Sequence, residues 1–191
     1  MKNKEIRNLS LSEVQYRNSD NQNFVGVISG YAVVFNKASQ NLGGFIEYIE
    51  PTAFDGVDMS DVVALYDHDF ANVLGRTSAD TLKLTIDEQG LYFELNIPDT
   101  TVGRDVYTNI RAGNLQGMSF GFTVVSDSWQ NGSDGVAIRQ VDSIGQLFEV
   151  SVVTMPAYQD TNVEAIRSLR MVADKQKMLL LLDVYEKENA E

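Results

Sequence analysis

The chain has no cysteine. That removes disulfides, thiol nucleophiles and cysteine-ligated zinc from consideration, and it fits a reducing compartment. There is one histidine, His68, so a metal site would need carboxylates almost throughout. Basic residues are few: 15 Lys and Arg against 27 Asp and Glu give a formal net charge of −12. Polyanionic partners require a basic face, so neither nucleic acid nor an anionic membrane surface is expected. No apolar run approaches the roughly 18 residues a membrane-spanning helix needs. Met1 to Glu5 carries charge without an apolar stretch behind it, so no signal peptide is expected. Phosphate-binding glycine loops of the nucleotide-binding types are missing. The expectation is a soluble intracellular protein of 191 residues, long enough to bury a real core.

Strand signals fill the first two-thirds. β-Branched and aromatic residues run from Phe24 to Phe35 around Gly26 and Gly30, where interior glycines suggest a bulge or a bent strand. Phe45 to Ile49 is a short strand, and Val62 to Tyr66 another that ends at Asp67-His68-Asp69. Leu82 to Ile86 and Leu91 to Ile97 flank Asp87 to Gly90 as a hairpin. Asp99-Thr100-Thr101 caps a helix over about 102–111, with Val102, Val106 and Ile110 at helical spacing and Gly113 as its stop. Gly117 to Val125 is a strand, and Asn131 to Gly135 a hairpin loop before strands at Val136 to Val141 and Leu147 to Thr154. From Val163 the spacing turns helical, with an apolar run from Met178 to Leu182. The order predicts a mainly β, α+β fold: a closed antiparallel β-barrel with helices outside it. The domain spans 1–162, and 163–191 forms a long C-terminal helix or tail that packs or oligomerises.

Three residues carry the chemistry. Ser119 lies between glycines in Gly117-Met118-Ser119-Phe120-Gly121-Phe122, where the small neighbours suggest that something approaches the backbone closely. A serine alcohol needs an adjacent base, and His68 has the right intrinsic pKa. Glu149 is an acid within the apolar strand Leu147 to Val153, where an unpaired charge is costly. Each has a plainer reading. A lone histidine also fits a structural role, a serine between glycines fits a bulge, and a glutamate in a strand fits an outward position. Asp67-His68-Asp69 offers three possible ligands for a carboxylate-metal alternative, but adjacent strand residues point to opposite faces. Asp127, Asp134 and Asp142 lack calcium-loop spacing. A small-molecule-binding barrel also suits the composition.

Three blocks, in this order, resemble a known family. Leu65-Tyr66-Asp67-His68-Asp69 with Leu74-Gly75-Arg76 resembles the histidine motif of the prohead maturation proteases of tailed bacteriophages. Gly117 to Phe122 resembles their nucleophile motif, and Leu147 to Ala157 their third block. The resemblance covers roughly residues 20 to 165. It implies a serine endopeptidase, with Ser119 as nucleophile, His68 as base and Glu149 as third member, and no metal or cofactor. It implies action inside the immature capsid in the host cytoplasm, on scaffold protein, on a scaffolding segment of the major capsid protein, or on the protease itself. It further implies a fold related to the herpesvirus assembly protease, a β-barrel surrounded by helices. That relative uses a second histidine as third member; this chain has none, and Glu149 matches the acidic position of the phage family. By analogy, backbone donors around Thr154 to Tyr158 would bind the oxyanion, and Arg76 could assist with substrate. The rival on the same fold is a catalytically silent, scaffold-binding assembly module. The apolar face from Ile166 to Leu182 makes a homo-oligomer the expectation.

Overall fold

The computed structural model describes residues 4–9, 14–132 and 135–154. The expected C-terminal helix, the boundary at 162 and most of the segment from Thr154 to Tyr158 lie outside them. Among the described residues, ten strands and one α-helix follow in order: β1 Glu5–Leu9, β2 Gln15–Arg17, β3 Phe24–Val34, β4 Phe45–Ile49, β5 Val63–Tyr66, β6 Asp69–Arg76, β7 Leu82–Ile86, β8 Gly90–Pro98, α1 Thr101–Arg111, β9 Gly117–Asn131 and β10 Ala137–Val153. A short 3-10 turn, Thr77–Ala79, lies between β6 and β7.

The strands form two sheets, not the closed antiparallel barrel that the pattern suggested. One sheet runs β1-β9-β10-β5-β6, with β4 also on β10; the other runs β2-β3-β8-β7. Among the described residues no pairing joins their edges, and β10 pairs in parallel with both β4 and β5. Period-two patterning sets which face of a strand is buried, but it does not say whether the outer strands meet. The helices expected around a barrel reduce, among the described residues, to α1. None of the described helices is long and apolar enough to cross a membrane.

The core lies between the sheets. β8 alternates strictly, burying Leu91, Phe93, Leu95 and Ile97, and β9 presents Met118, Phe120 and Phe122 to the same cluster. β10 is the central strand. The sequence reads as two strands there, but the structure has one of 17 residues. Register shifts against β9 between Val141 and Glu149 absorb the polar stretch around Asp142 and Gly145. Its first half is flanked by β4 and its second half by β5.

Helix α1 delivers the chain to β9. Thr100 caps it, its side-chain oxygen accepting from the Gly103 N–H at 3.0 Å, a bond worth about 1 kcal/mol. Gly113, at φ 76°, ends it in the left-handed region. The buried face, Val106, Tyr107 and Ile110, packs on the core. Tyr107 crosses β3 at Gly26, where an added Cβ would lie 2.2 Å from the ring, and its hydroxyl donates to the Arg17 carbonyl at 2.9 Å. Gly26→Ala therefore forces ring and strand apart. A loss of roughly 1–3 kcal/mol is expected, read as a lower urea midpoint at unchanged slope.

Candidate active site

His68 sits in a turn that its own backbone resists. β5 and β6 pair Tyr66 with Asp69, which leaves Asp67 and His68 as a two-residue loop. Both have positive φ, 53° and 61°. That is the pattern of a type I′ hairpin turn, where Asn-Gly is the usual choice. For other L-residues the left-handed region costs about 1–2 kcal/mol each, least severely for residues such as Asp, Asn and His. β5 runs parallel to β10, setting Val63 beside Glu149 and Leu65 beside Ser151, and the Asp67 N–H donates to the Val152 carbonyl at 2.9 Å. The turn thus hangs at the end of β10. There His68 Nδ1 lies 2.9 Å from Glu149 Oε1. An ionised carboxylate only accepts, so Nδ1 carries the hydrogen and Nε2 is the basic nitrogen.

Glu149 has no exposed surface. The Ser151 hydroxyl donates to its Oε2 at 2.6 Å, and Lys4 Nζ lies 3.4 Å from Oε1. Burial pushes its carboxyl pKa up, but the bonds from His68 and Ser151, with the nearby charges of His68 and Lys4, outweigh that and hold it below the ordinary value. Lys4 also lies over the rings of Phe70 and Phe148, 5.0 and 5.7 Å from their centroids.

Ser119 faces Ser151 across the β9–β10 ladder, and Gly121 faces Glu149. Alternation puts all four on the face opposite Phe120 and Phe122. A Cβ on Gly121 would lie 2.3 Å from Glu149 Oε1 and 2.4 Å from Lys4 Cε. Gly121 therefore makes room for the carboxylate and the lysine rather than for a substrate backbone. Ser119 is fully buried, and its hydroxyl donates to the Arg7 carbonyl at 2.9 Å.

On the other face of β1 and β9, ion pairs hold β1 in place. Arg7 binds Glu47 through Nε at 2.6 Å and Nη2 at 3.0 Å, and also contacts Glu5. Arg139 binds Glu5 at 2.6 and 3.1 Å, Glu47 at 3.1 Å and Asp127 at 2.6 Å. Glu47 is 2% exposed. Burial raises its pKa, and Arg7 and Arg139 only partly offset the rise.

The three residues expected from the sequence thus fall on one pair of neighbouring strands and one adjoining turn, with His68 and Glu149 in contact. The other candidates serve elsewhere. Arg76 is bound by Asp61 at 2.6 and 2.7 Å on the surface, and that bond and one from Ser78 hold the Asp61 carboxyl down at about 2. Asp69 accepts from the Ala71 N–H and the Asn72 side chain of its own strand. Among the described residues no group of three or more potential ligands is gathered for a metal. Sequence reasoning missed Ser151, Lys4 and Arg7. Ser151 stands two residues after Glu149, hence on its face of the strand, and that spacing could have found it. No local pattern marks Lys4 or Arg7.

Comparison with known proteins places the chain. Residues 12–176 match the family model described as caudovirus prohead serine protease. The prohead protease of Enterobacteria phage HK97 is 28% identical over 147 residues, 75% of this chain and 61% of that protein. The prohead protease of Escherichia phage T5 is 27% identical over 111 residues, 58% and 49% of the two chains. The chain thus spans about half to three-fifths of the length of these relatives. The solved bacteriophage T4 capsid assembly protease aligns over 78% of this chain and 98% of its own, at 11% identity and a TM-score of 0.46. With a family match over most of its length and the histidine, serine and glutamate blocks converging at one end of β10, the chain belongs to the caudovirus prohead serine proteases.

Proposed function

We propose that the chain is a serine endopeptidase that cuts scaffold protein, or a scaffolding segment of the major capsid protein, during prohead maturation, and that it acts inside the immature capsid as part of a homo-oligomer. The observation that carries this is the 2.9 Å contact of His68 Nδ1 with a fully buried carboxylate, made from a turn of unfavourable backbone conformation. Backbone strain of this kind clusters at functional sites. In this reading Ser119 Oγ attacks the scissile carbonyl, and His68 Nε2 takes its proton and passes it to the leaving amine. Glu149 stays ionised and fixes the imidazole tautomer, and Ser151 holds the carboxylate in place. By analogy with the herpesvirus enzyme, the oxyanion donors are backbone N–H groups among residues 154–158.

Co-expression with the scaffold and capsid proteins of the same phage tests the assignment. Ser119→Ala should stop their cleavage while the protein still folds, and undiminished processing would end the proposal. His68→Ala and Glu149→Gln should each slow cleavage by on the order of 10³–10⁴. Ser151→Ala, which removes one donor to a charged group, should cost about tenfold.

Stability gives an independent reading of Glu149. Its folded pKa lies below the ordinary value, so the unfolded chain binds the proton more readily. The stability gained from the ionised form is complete above the ordinary carboxylate range and is lost as pH falls through the lowered value. From about pH 5 downward the wild type should lose stability relative to Glu149→Gln, measured by urea titration at successive pH values.

A further inference from the structure

Among the described strands β6 is an outer one of its sheet, and it leaves large apolar side chains in solvent beside His68. Phe70 is 59% exposed and Val73 46%. Apolar residues scattered singly over a surface need no explanation, but these two share one edge strand, of the kind that charge usually blunts. The pairing of β6 with β5 jumps from Leu65–Val73 to Tyr66–Asp69, so Phe70, Ala71 and Asn72 bulge out of the ladder. Asp69 holds the bulge in shape, accepting from the Ala71 N–H at 2.8 Å and from the Asn72 side-chain amide at 3.0 Å. The Phe70 ring centroid lies 5.0 Å from Lys4 Nζ, which is 3.4 Å from Glu149 Oε1, so the bulge stands over the face that carries the site. Val73 belongs to that face too. Ser119 is opposite Ser151, Ser151 beside Leu65, and Leu65 opposite Val73, one row of directly paired residues from β9 through β10 and β5 to β6.

Direction follows from the chemistry. The leaving amine takes its proton from the histidine base, so the substrate beyond the scissile bond starts at the His68 turn, and that turn opens directly into β6. Three inter-strand spacings separate Val73 from Ser119, roughly 14 Å, which an extended peptide covers in about four residues. Resting on the catalytic reading above, we propose that Phe70 and Val73 form an apolar subsite for the leaving-group side of the substrate, taking a leucine, isoleucine, methionine or phenylalanine side chain about four residues beyond the cut. An apolar side chain laid there takes its own surface and that of Phe70 and Val73 out of water; a serine gains little from the same contact. Substrate is the occupant because the patch continues from the reacting groups through the histidine turn, with Phe70 standing just past His68 in the chain and over the Glu149 side of the site.

The test co-expresses the full chain with the scaffold and capsid proteins of the same phage and finds the cut sites by mass spectrometry, as new N-termini that disappear with Ser119→Ala. An apolar residue should stand within about three to five positions after each cut. Replacing it with serine should slow cleavage by the wild type about tenfold, and by the double variant Phe70→Ser, Val73→Ser less than about threefold, whereas Phe70→Leu should keep the tenfold preference. Phe70→Ser alone makes the comparison if circular dichroism finds the double variant unfolded. Cut sites without an apolar residue at those positions, or a serine penalty equal in wild type and variant, overturn the subsite and leave the catalytic reading standing. A double variant that changes oligomer size on size-exclusion chromatography while keeping the full preference assigns the patch to a second copy of the chain and also overturns the subsite. Processing that is absent, or unchanged by Ser119→Ala, overturns the catalytic reading and the subsite with it.

Discussion

A carboxylate with no exposed surface, Glu149 in the middle of a sheet, is the constraint on which the site depends. Ionised burial costs several kcal/mol unless partners surround the charge. Its partners come from three parts of the chain: His68 from the β5–β6 turn, Ser151 from its own strand and Lys4 from the segment before β1. Meeting that requirement shapes the neighbourhood. Position 121 has to be glycine for the carboxylate to fit, and two L-residues are held in the left-handed turn that brings the imidazole to Nδ1 contact. Among the described residues no buried side-chain nitrogen or oxygen lacks a hydrogen bond.

The first half of β9 is buried on both faces, and the two faces do different work. Phe120 and Phe122 stack with ring centroids 4.7 Å apart and join the core between the sheets. That packing makes the strand a rigid platform. The other face holds Ser119 and Gly121 beside Ser151 and Glu149, polar and small, closed over by the His68 turn and by Lys4. β1 belongs to both arrangements. Its ion pairs with Glu47 and Arg139 anchor it on one face, while its Arg7 carbonyl engages the serine. One short strand therefore touches both the charge cluster on one face of the sheet and the Ser119 hydroxyl.

Much of the fold was legible where local signals agree. β4 and β7 fall where their residues predict, and β8 and α1 fall within a residue or so, because alternation, turn chemistry and a threonine cap all point the same way. The long β10 was read as two strands because the polar residues at 142–146 break the alternation, whereas register shifts carry the strand through them. The barrel was over-read: patterning gives each strand a buried face, but whether the edges join depends on curvature accumulated over many residues. Ser119, His68 and Glu149 were visible as a serine among glycines, a single histidine and an acid in an apolar strand. Ser151 was hidden as one more small residue, and Lys4 and Arg7 as ordinary charges in a loosely patterned stretch.

The sequence by itself determined the chemical inventory. With no cysteine and one histidine, a histidine-assisted hydroxyl nucleophile had only His68 to use, and the alternation of β9 and β10 put Ser119 and Glu149 on faces distinct from the neighbouring phenylalanines. Only the tertiary structure decided which groups meet. The parallel register of β5 on β10 and the antiparallel register of β9 on β10 bring residues 68, 119 and 149 to one place, and β1 adds the carbonyl that accepts from Ser119. The reason is physical: side-chain direction along a strand is fixed locally by the pleat, whereas the register between strands distant in sequence is fixed by how the whole core packs.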